Sequence, residues 1–430
     1  MELPEKYKER MIAQLGAEEY AEYTAALARP PVKGLHVNTL KARVGEAEKT
    51  AILERLPYGE NCYAVKDGRP TLHPYYRAGL YYMQEPSAML PIAYAPIERG
   101  MRVLDMCASP GGKSSQAAIK LGGEGLLVSN EIDRKRALVL RENIVTLGYT
   151  NTVVTNMRPD ALARTFGAYF DAVIVDAPCS GEGMFRKEEQ AVLDWSPQNV
   201  RACAARQREI LISADECLKE GGLLVYSTCT FSPEEDEENV GFLTENGYEI
   251  LPCDVAGAVC KGLGYKFYPH KTAGEGQFFC LLRKTKPSGA PKRLQKLQYA
   301  GKRETDAIAE FADISGLKIA RKNGMLFVPA IDADIPCLAN GVLLAETECD
   351  GRLTPSHQAF TAFGNRFRRT LDLPSDDPRI SAYLRGEEIA GDVKGWCAVC
   401  VDGHPLGGGK GSNGVIKNHY PKHFRNLAHH

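Results

Sequence analysis

The sequence lacks the patterns of a membrane or exported protein. No apolar run approaches the ~18 consecutive residues that a membrane-spanning helix needs, and the first residues, MELPEKYKER, lack the apolar centre of a signal peptide. We therefore expect no membrane partner and a cytoplasmic location. No internal repeat is visible, so a repeat architecture is not indicated.

Net charge is also nearly absent, because 53 basic residues oppose 54 acidic ones. The distribution is uneven: residues 1–280 hold 31 Lys and Arg against 38 Asp and Glu, whereas residues 281–430 hold 22 against 16. A basic final third is compatible with a polyanionic partner, and equally with an ordinary solvated surface.

What the chain does have is the composition of a folded protein. With 430 residues, 44% hydrophobic and 25% charged, it is long enough for two to four domains with their own cores. The 13 cysteines are odd in number and scattered from Cys62 to Cys400. In a chain without an export signal this favours reduced thiols over a disulfide framework, and leaves some cysteines free for chemistry.

Short apolar runs alternate with helical patterns from Arg102 to about Lys284. The runs include RVLDMCA, GLLVSNE, NTVVT, FDAVIVDAP and GLLVYSTC. Their almost uniform apolarity predicts a mostly parallel sheet covered by helices on both faces. Such a sheet binds ligands at the carboxyl ends of its strands, so the residues after each run are the candidates for chemistry.

A glycine turn follows the first run, at Asp105 to Lys113. Neither the P-loop spacing nor G-x-G-x-x-G is present. A short glycine turn before a helix suits a carboxylate, such as that of the methionine part of S-adenosylmethionine. The second run ends at Asn130 and Glu131, where an acidic side chain commonly binds a ribose. Alternatively, the two features are a structural turn and a helix-capping acid.

Two further runs end in cysteines, the first in Asp176-Ala177-Pro178-Cys179 and the second in Ser227-Thr228-Cys229. Either cysteine alone is most simply a small buried side chain. Two cysteines facing one crevice suit methylation of a pyrimidine at carbon 5. In that reaction a thiolate adds to carbon 6, an acidic group near N3 stabilises the adduct, and a base removes the carbon 5 proton. Asp176 is the candidate for the N3 contact, either as a protonated acid or as an acceptor from a protonated ring.

These motifs resemble a known family. DMCASPGGK, SNEID, DAPCSGEGMFRK and YSTCT resemble, in order and spacing, the motifs of the Nop/Sun family of RNA 5-methylcytosine methyltransferases. LHVNTL and YYMQEPSAM are similar to that family's N-terminal region. The tail PLGGGKGSNGVIKNHYPKHFR resembles the C-terminal RNA-binding module of the bacterial branch that methylates a cytosine of small-subunit ribosomal RNA.

The resemblance implies an α/β fold with a class I, Rossmann-like methyltransferase core that uses S-adenosylmethionine. It further implies an N-terminal α/β extension and, at the C-terminal end, a small α/β and a PUA-like RNA-binding module. We expect five segments: 1–95 (extension), 96–285 (catalytic domain), 286–303 (basic linker), 304–372 (intermediate domain) and 373–430 (PUA-like module). The implied partner is ribosomal RNA or the small (30S) subunit, and we expect a monomer without metal.

The resemblance also implies residue roles. Cys229 is the implied nucleophile, Cys179 assists release of the product, and Asp176 holds the target base and lies beside the cofactor. The implied cofactor residues are Cys107, Ala108, Ser109, Pro110, Gly111, Gly112 and Lys113, with Glu131 on the ribose. The family's acidic residue after the third strand is not clearly present, since the sequence there is Thr155 to Asp160. Either Asn156 or Asp160 contacts the adenine, or Asp160 caps the next helix.

The C-terminal module carries two other patterns. Cys397 and Cys400 have zinc-like spacing, but alternation along a strand would send them to opposite faces, so no metal is predicted. Cationic and aromatic residues interleave near the end of the chain in a manner suited to phosphates and bases. The RNA-binding candidates are Lys410, Lys417, Tyr420, Lys422 and Arg425.

One acidic run receives no catalytic role. Glu234 to Glu238 follow Ser232 at the start of a helix and are interpreted as a capping signal.

Other functions stay open from the sequence. The substrate could be transfer RNA, because the core motifs are shared across the family. A non-catalytic RNA-binding assembly factor and a DNA methyltransferase are the remaining alternatives; the latter differs in which cysteine attacks.

Overall fold

The structure is a computed structural model that describes residues 2–255, 258–260 and 262–425. Residue 1 of the expected extension and residues 426–430 of the expected PUA-like module therefore lie outside the described residues. The described chain forms four β-sheets with helices between them. No helix in these residues is long and apolar enough to cross a membrane.

The N-terminal region is two helices followed by an antiparallel sheet of order β2-β3-β1-β4. Tyr7 and Met11 lie one turn apart on the first helix and are fully buried, and the Tyr7 hydroxyl hydrogen-bonds to that of Tyr23 at 2.7 Å. Together they pack on aromatic residues of the catalytic region. The elements are α1 (Glu5–Leu15), α2 (Ala17–Leu27), β1 (Lys33–Val37), β2 (Ile52–Arg55), β3 (Cys62–Asp67), α3 (Pro74–Arg77), β4 (Tyr81–Met83) and α4 (Leu90–Tyr94).

The central sheet contains the five strands predicted from the apolar runs, in the order β7-β6-β5-β8-β9, all parallel. Antiparallel β13, β12 and β11 extend it beyond β9, and β10 pairs with β13. The elements are β5 (Arg102–Asp105), α5 (Gly112–Leu121), β6 (Leu126–Asn130), α6 (Arg134–Leu147), β7 (Thr152–Thr155), α7 (Pro159–Phe166), β8 (Phe170–Asp176), α8 (Glu189–Asp194), α9 (Pro197–Cys217), β9 (Leu218–Thr228), α10 (Glu237–Glu245), β10 (Tyr248–Ile250), β11 (Val259–Cys260), β12 (Tyr265–Phe267) and β13 (Gln277–Lys284).

Both faces of this sheet are covered. Val103 and Leu104 are neighbours on β5 and belong to different buried clusters, because successive strand residues point to opposite faces. The chain runs outward from β5 through β6 to β7, then returns to β8 on the other side of β5. The strand order therefore reverses between β5 and β8, and this is the point where a parallel sheet opens a ligand crevice at its carboxyl edge.

The intermediate region forms a sheet of order β14-β15-β16-β18-β19. Its strand β17 does not join this sheet but pairs with β7 at the edge of the central sheet. The short strand β14 lies inside segment 286–303, which the sequence predicts to be a linker. The elements are β14 (Gln298–Tyr299), α11 (Lys302–Ala309), β15 (Ala320–Lys322), β16 (Met325–Val328), β17 (Ala339–Asn340), β18 (Val342–Thr347), β19 (Leu353–Pro355) and α12 (His357–Phe363).

Segment 286–303 is attached to the catalytic region rather than free. Ser288 donates to the carbonyl of Leu218 at 2.9 Å, and the backbone N–H of Lys292 donates to Phe166 at 2.9 Å. Composition suggested a linker because the segment is basic and contains proline and glycine, but its backbone groups find partners on the core surface.

The last module is a sheet of order β20-β22-β23-β24-β21. Its first strand begins at Thr370, so the strand spans the expected boundary between 372 and 373. Cys397 and Cys400 are both buried but pack in different clusters, as the alternation predicted. The elements are β20 (Thr370–Leu373), α13 (Pro378–Leu384), β21 (Ile389–Ala390), β22 (Gly395–Val401), β23 (His404–Ser412), β24 (Val415–Asn418) and α14 (Lys422–Arg425).

The N-terminal sheet and the last module share one core. Leu35 and Tyr81 of the first pack in the same cluster as Leu373 and Val399 of the second. At its margin the Tyr75 hydroxyl donates to the Asp402 carboxylate at 2.8 Å. The two ends of the described chain are thus joined by apolar packing, although the whole catalytic region separates them in sequence.

Candidate active site

The glycine turn lies between β5 and α5, as the sequence predicted. Gly111 has a φ of +121°, which favours glycine, and a β carbon added at Gly112 would lie 2.9 Å from the side chain of Gln84. Cys107 and Ser109 line a cavity of about 850 Å³ at the carboxyl edge of the sheet, which we call the catalytic cavity. The turn therefore brings backbone close to that cavity.

Glu131 follows β6 and also lines the catalytic cavity. Its side chain is only 3% exposed, accepts the backbone N–H of Asp133 at 2.9 Å and pairs with Arg136 at 3.3 Å. Ile132, next in sequence, is 58% exposed and lines the same cavity. Sequence reasoning missed Ile132; its signal is an apolar residue directly after the acidic residue at a strand end.

The structure separates the two candidates for the adenine contact. The side-chain amide of Asn156 donates to the carbonyls of Glu131 and Ile132 at 2.7 and 2.8 Å, so both of its N–H groups serve the backbone. Asp160 lies in the first turn of α7 and lines the catalytic cavity. Its carboxylate pairs with Arg158 and Arg164. Arg158, at the N-cap of α7, has no capping side chain. The arrangement favours Asp160 over Asn156.

Asp176 ends β8 and lines the catalytic cavity. Lys113, which the sequence predicts to bind cofactor, is 7% exposed and its ammonium lies 2.9 Å from the Asp176 carboxylate. Ser227 of the neighbouring strand donates to the other carboxylate oxygen at 2.7 Å. The carboxylate is thus an acceptor in both contacts.

Cys179 and Cys229 meet at the inner wall of the catalytic cavity, with 3.2 Å between their sulfurs. Both are free thiols. The hydrogen bond with Cys229, together with burial, holds the pKa of Cys179 well above its ordinary value. Cys179 therefore keeps its proton and shares a hydrogen bond with the Cys229 sulfur.

The loops that carry the two cysteines are tied together. The Ser180 hydroxyl hydrogen-bonds to Thr230 at 2.9 Å, and the backbone N–H of Gly183 donates to the carbonyl of Cys229 at 2.8 Å. The fully buried carboxylate of Glu182 accepts from the backbone of Phe231 at 2.9 Å. The distance between the sulfurs is set by this network rather than by the thiols alone.

The C-terminal candidates divide in the structure. Lys410, Lys417 and Lys422 are exposed. Tyr420 is 3% exposed and packs in the core shared with the N-terminal sheet, so its ring is not open for base stacking in this structure. Arg425 is half-buried and donates to the Tyr420 carbonyl at 2.8 Å. The interleaved sequence pattern could not distinguish a base-stacking aromatic from a core one.

A second cavity, of about 410 Å³, lies where Lys410 and Lys417 pair across adjacent strands. The Lys410 ammonium is 5.2 Å from the centre of the Trp396 ring, and His419 lies edge-on to the same ring at 4.6 Å. Trp396 lies on β22, and its partly exposed indole contacts the Lys410 ammonium and the His419 ring.

No group of three or more His, Cys, Asp or Glu is arranged to hold a metal ion in the part of the chain that the structure describes.

The crevice at the strand reversal, the glycine turn and the acidic residue after β6 define a Rossmann-like methyltransferase fold, as predicted. The chain belongs to the 16S rRNA methyltransferase RsmB/F family: that family's model matches residues 92–283. Two further models match: the N-terminal domain of 16S rRNA methyltransferase RsmF at 3–86 and the RsmF PUA domain at 370–426.

Two similar proteins share the same name. A "Ribosomal RNA small subunit methyltransferase F" of Klebsiella pneumoniae is 31% identical over 97% of this chain and 96% of its own. The protein of that name from Psychromonas ingrahamii is 29% identical over 98% and 96%. The recognised resemblance to the Nop/Sun family is thereby confirmed.

Solved structures share the fold. A methyltransferase homolog protein from Pyrococcus horikoshii is 27% identical with a TM-score of 0.57, over 63% of this chain and 92% of its own. NSun6 from the same organism, solved with SFG, gives a TM-score of 0.59 over 66% and 98%, and at 22% identity it supports the fold alone.

Asp105, at the end of β5, makes the stability of this region depend on pH. Burial raises the pKa of its carboxyl from 3.8 to about 7. Between these values the folded chain holds a proton that the unfolded chain has lost, so stability falls as the pH rises. We expect the free energy of unfolding of Asp105→Asn, relative to that of the unsubstituted chain, to be ~2–4 kcal/mol higher at pH 8 than at pH 4. Urea unfolding at the two pH values measures it. An equal difference at both pH values would contradict this.

Proposed function

We propose that the protein methylates carbon 5 of a cytosine in small-subunit (16S) ribosomal RNA through a covalent adduct with Cys229, using S-adenosylmethionine. The observation that carries the proposal is the contact of two thiols at 3.2 Å, inside the cavity that the glycine turn and Glu131 line. Membership of the RsmB/F family supports the ribosomal substrate. We further propose that it acts as a cytoplasmic monomer on ribosomal RNA or the small subunit, without metal.

The catalytic cavity fits the cofactor. Its volume of about 850 Å³ is within the range of small-molecule sites. Cys107 to Gly112 would hold the methionine part, Glu131 the ribose, and Ile132 with Asp160 the adenine. When bound, S-adenosylmethionine supplies a methyl group on a positively charged sulfur.

Cys229 activates the target base. Cys229 loses its proton to solvent, and the thiolate adds to carbon 6 of cytosine as the double bond between carbons 5 and 6 opens. N3 takes up a proton from solvent, and the resulting enamine makes carbon 5 nucleophilic toward the methyl group. Asp176 already accepts hydrogen bonds from Ser227 and pairs with Lys113. These contacts favour its role as an acceptor from a protonated N3 over that of a donor.

Cys179 assists release. Water takes the carbon 5 proton, the electrons of that bond form the double bond between carbons 5 and 6, and the electrons of the carbon–sulfur bond return to Cys229. N3 gives its proton back to solvent as the aromatic ring is restored. Cys179, which keeps its proton beside Cys229, protonates the departing sulfur and later regains a proton from solvent. Without it the adduct persists.

The target base must leave its stack to reach the thiols, because a paired cytosine hides its ring face. The N-terminal sheet and the last module flank the catalytic region as one packed body. Lys410 and Lys417 supply positive charge for the RNA backbone, and the Trp396 ring supplies an aromatic face.

A trapping experiment tests the two cysteine roles. Cys179→Ala is incubated with S-adenosylmethionine and ribosomal or transfer RNA, and denaturant-resistant protein–RNA adduct is measured on gels. We expect adduct to accumulate in Cys179→Ala and to be absent from Cys229→Ala and from the double variant. Cys203→Ala, a buried cysteine on α9, is the matched control.

Sequencing the trapped RNA identifies the substrate. An adduct that requires Cys179 instead of Cys229 would overturn the assignment of the nucleophile. Trapping of transfer RNA alone would overturn the ribosomal substrate, and cofactor binding without methylation of any RNA would favour a binding factor.

The adenine contact is tested with two ligands. Asp160→Asn should weaken binding of S-adenosylhomocysteine by about 10-fold, because a charged acceptor for the 6-amino group is lost. It should leave binding of S-inosylhomocysteine, which lacks that amino group, unchanged. Isothermal titration measures both, with Asp306→Asn, on exposed α11, as the control. Equal losses for both ligands would contradict the contact.

The surface formed by Lys410 and Lys417 is tested by its salt dependence. Replacing both with Gln should lower RNA affinity and reduce the slope of log affinity against log salt by about 1–2, since each phosphate contact releases counterions. Fluorescence anisotropy at several salt concentrations measures the slope. Lys8→Gln, whose ammonium already pairs with Glu5 at 3.0 Å, is the control; an unchanged slope in the double variant would place the RNA elsewhere.

A further inference from the structure

A buried carboxylate lies behind Cys179 and takes no part in the steps above. Glu235 follows β9 and precedes α10, and its side chain is fully buried. Its acidic run has the pattern of a helix cap, but the Glu235 side chain is buried instead of solvated. One carboxylate oxygen, Oε2, accepts the backbone N–H of Ser180 at 3.0 Å.

Gln207 of α9 completes the arrangement. Its amide donates to the same Glu235 oxygen at 2.8 Å and to the carbonyl of Pro178 at 3.1 Å. The two side chains therefore hold both residues that flank Cys179, one through its N–H and the other through its C=O. These hydrogen bonds add to the contacts between the two cysteine loops and hold the backbone on both sides of Cys179, which orients its side chain toward Cys229.

The second oxygen of Glu235, Oε1, is buried and has no hydrogen-bond partner among the described residues. Burial raises the pKa of Glu235 to about 7, and its negative charge adds to the rise in the pKa of Cys179. The charge of Glu235 thus favours the protonated form of Cys179. Hydrogen bonding and charge are separable here, because a glutamine can still accept through one oxygen.

We propose that Glu235, together with Gln207, is a positioning residue for adduct release: it orients the segment from Pro178 to Ser180 so that the Cys179 thiol meets the sulfur of Cys229. Glu235 does not touch the base or the cofactor. The inference rests on the proposed function, since it assigns a support to the release step of that reaction.

The step that Glu235 supports is the protonation of the Cys229 sulfur as its bond to carbon 6 breaks. If Cys179 turns away, addition to carbon 6 and methyl transfer proceed, because neither uses Cys179. Loss of the hydrogen bonds from Glu235 and Gln207 should therefore slow release without slowing the first turnover.

The test compares the first turnover with the steady state. Two variants are compared, Glu235→Leu and Gln207→Leu. Each should retain the rate of the first methylation within about 3-fold. Each should slow steady-state turnover about 10-fold or more and accumulate denaturant-resistant adduct. Glu235→Gln should restore turnover, because its oxygen still accepts from Ser180 and Gln207. Glu234→Leu, which alters a neighbouring carboxylate paired with Arg10 at 2.6 Å, is the matched control and should behave as the unsubstituted chain.

Combination with Cys179→Ala separates positioning from general loss of structure. Glu235→Leu should add nothing to the adduct level or turnover of Cys179→Ala, since both act through one thiol. A further loss in the double variant, or an equal slowing of the first turnover, would overturn the inference. Normal release by Glu235→Leu and Gln207→Leu, with accumulation in Cys179→Ala, would refute the inference alone. No accumulation in Cys179→Ala would instead refute the proposed function.

Discussion

The parallel pairing of β8 with β9 is the constraint on which the site depends. Its register sets Asp176 opposite Ser227, so the loops that leave the two strands start side by side. Cys179 lies three residues past the first position and Cys229 two past the second, which brings both sulfurs over the same crevice. A slip of this register would carry one thiol to another depth in the cavity. The burial of both strands, with apolar side chains on each face, prevents such a slip.

The central fold and the main site were predictable because their signals are local. Apolar runs of strand length marked β5 to β9, and several residues at or after the ends of these runs line the catalytic cavity: Cys107, Glu131, Asp160, Asp176, Cys179 and Cys229. Other features depend on long-range packing. Nothing near Tyr420 shows that its ring packs against the N-terminal sheet, and a two-residue strand such as β17 has too few residues for a pattern. The acidic run was interpreted as a capping signal because acidic residues before a helix are usually solvated, whereas the fold buries two of them, Glu235 and Asp236.

The shared core of the N-terminal sheet and the last module joins two segments that the whole catalytic region separates in sequence. The pairing of Tyr75 with Asp402, and the contact of His404 with Glu46 at 3.1 Å, add polar connections at the margin of that core. A substrate RNA would meet a continuous body rather than separate modules on flexible chain. Orientation of the RNA relative to the thiols is then a property of the fold, and requires no ordering of a linker on binding.

The pairing of β17 with β7 has a consequence for the integrity of the catalytic region. Without it, β7 would be the outer strand of a buried, strongly apolar sheet, with a row of unpaired backbone N–H and C=O groups. The side chain of Asn340 secures the strand by accepting from the backbone of Ala330 at 3.0 Å and donating to Ile331 at 2.9 Å. The intermediate region thus covers the edge of the central sheet, where a second chain could otherwise add as a further strand. A catalytic fragment cut before this strand would carry every reactive group and yet be prone to self-association.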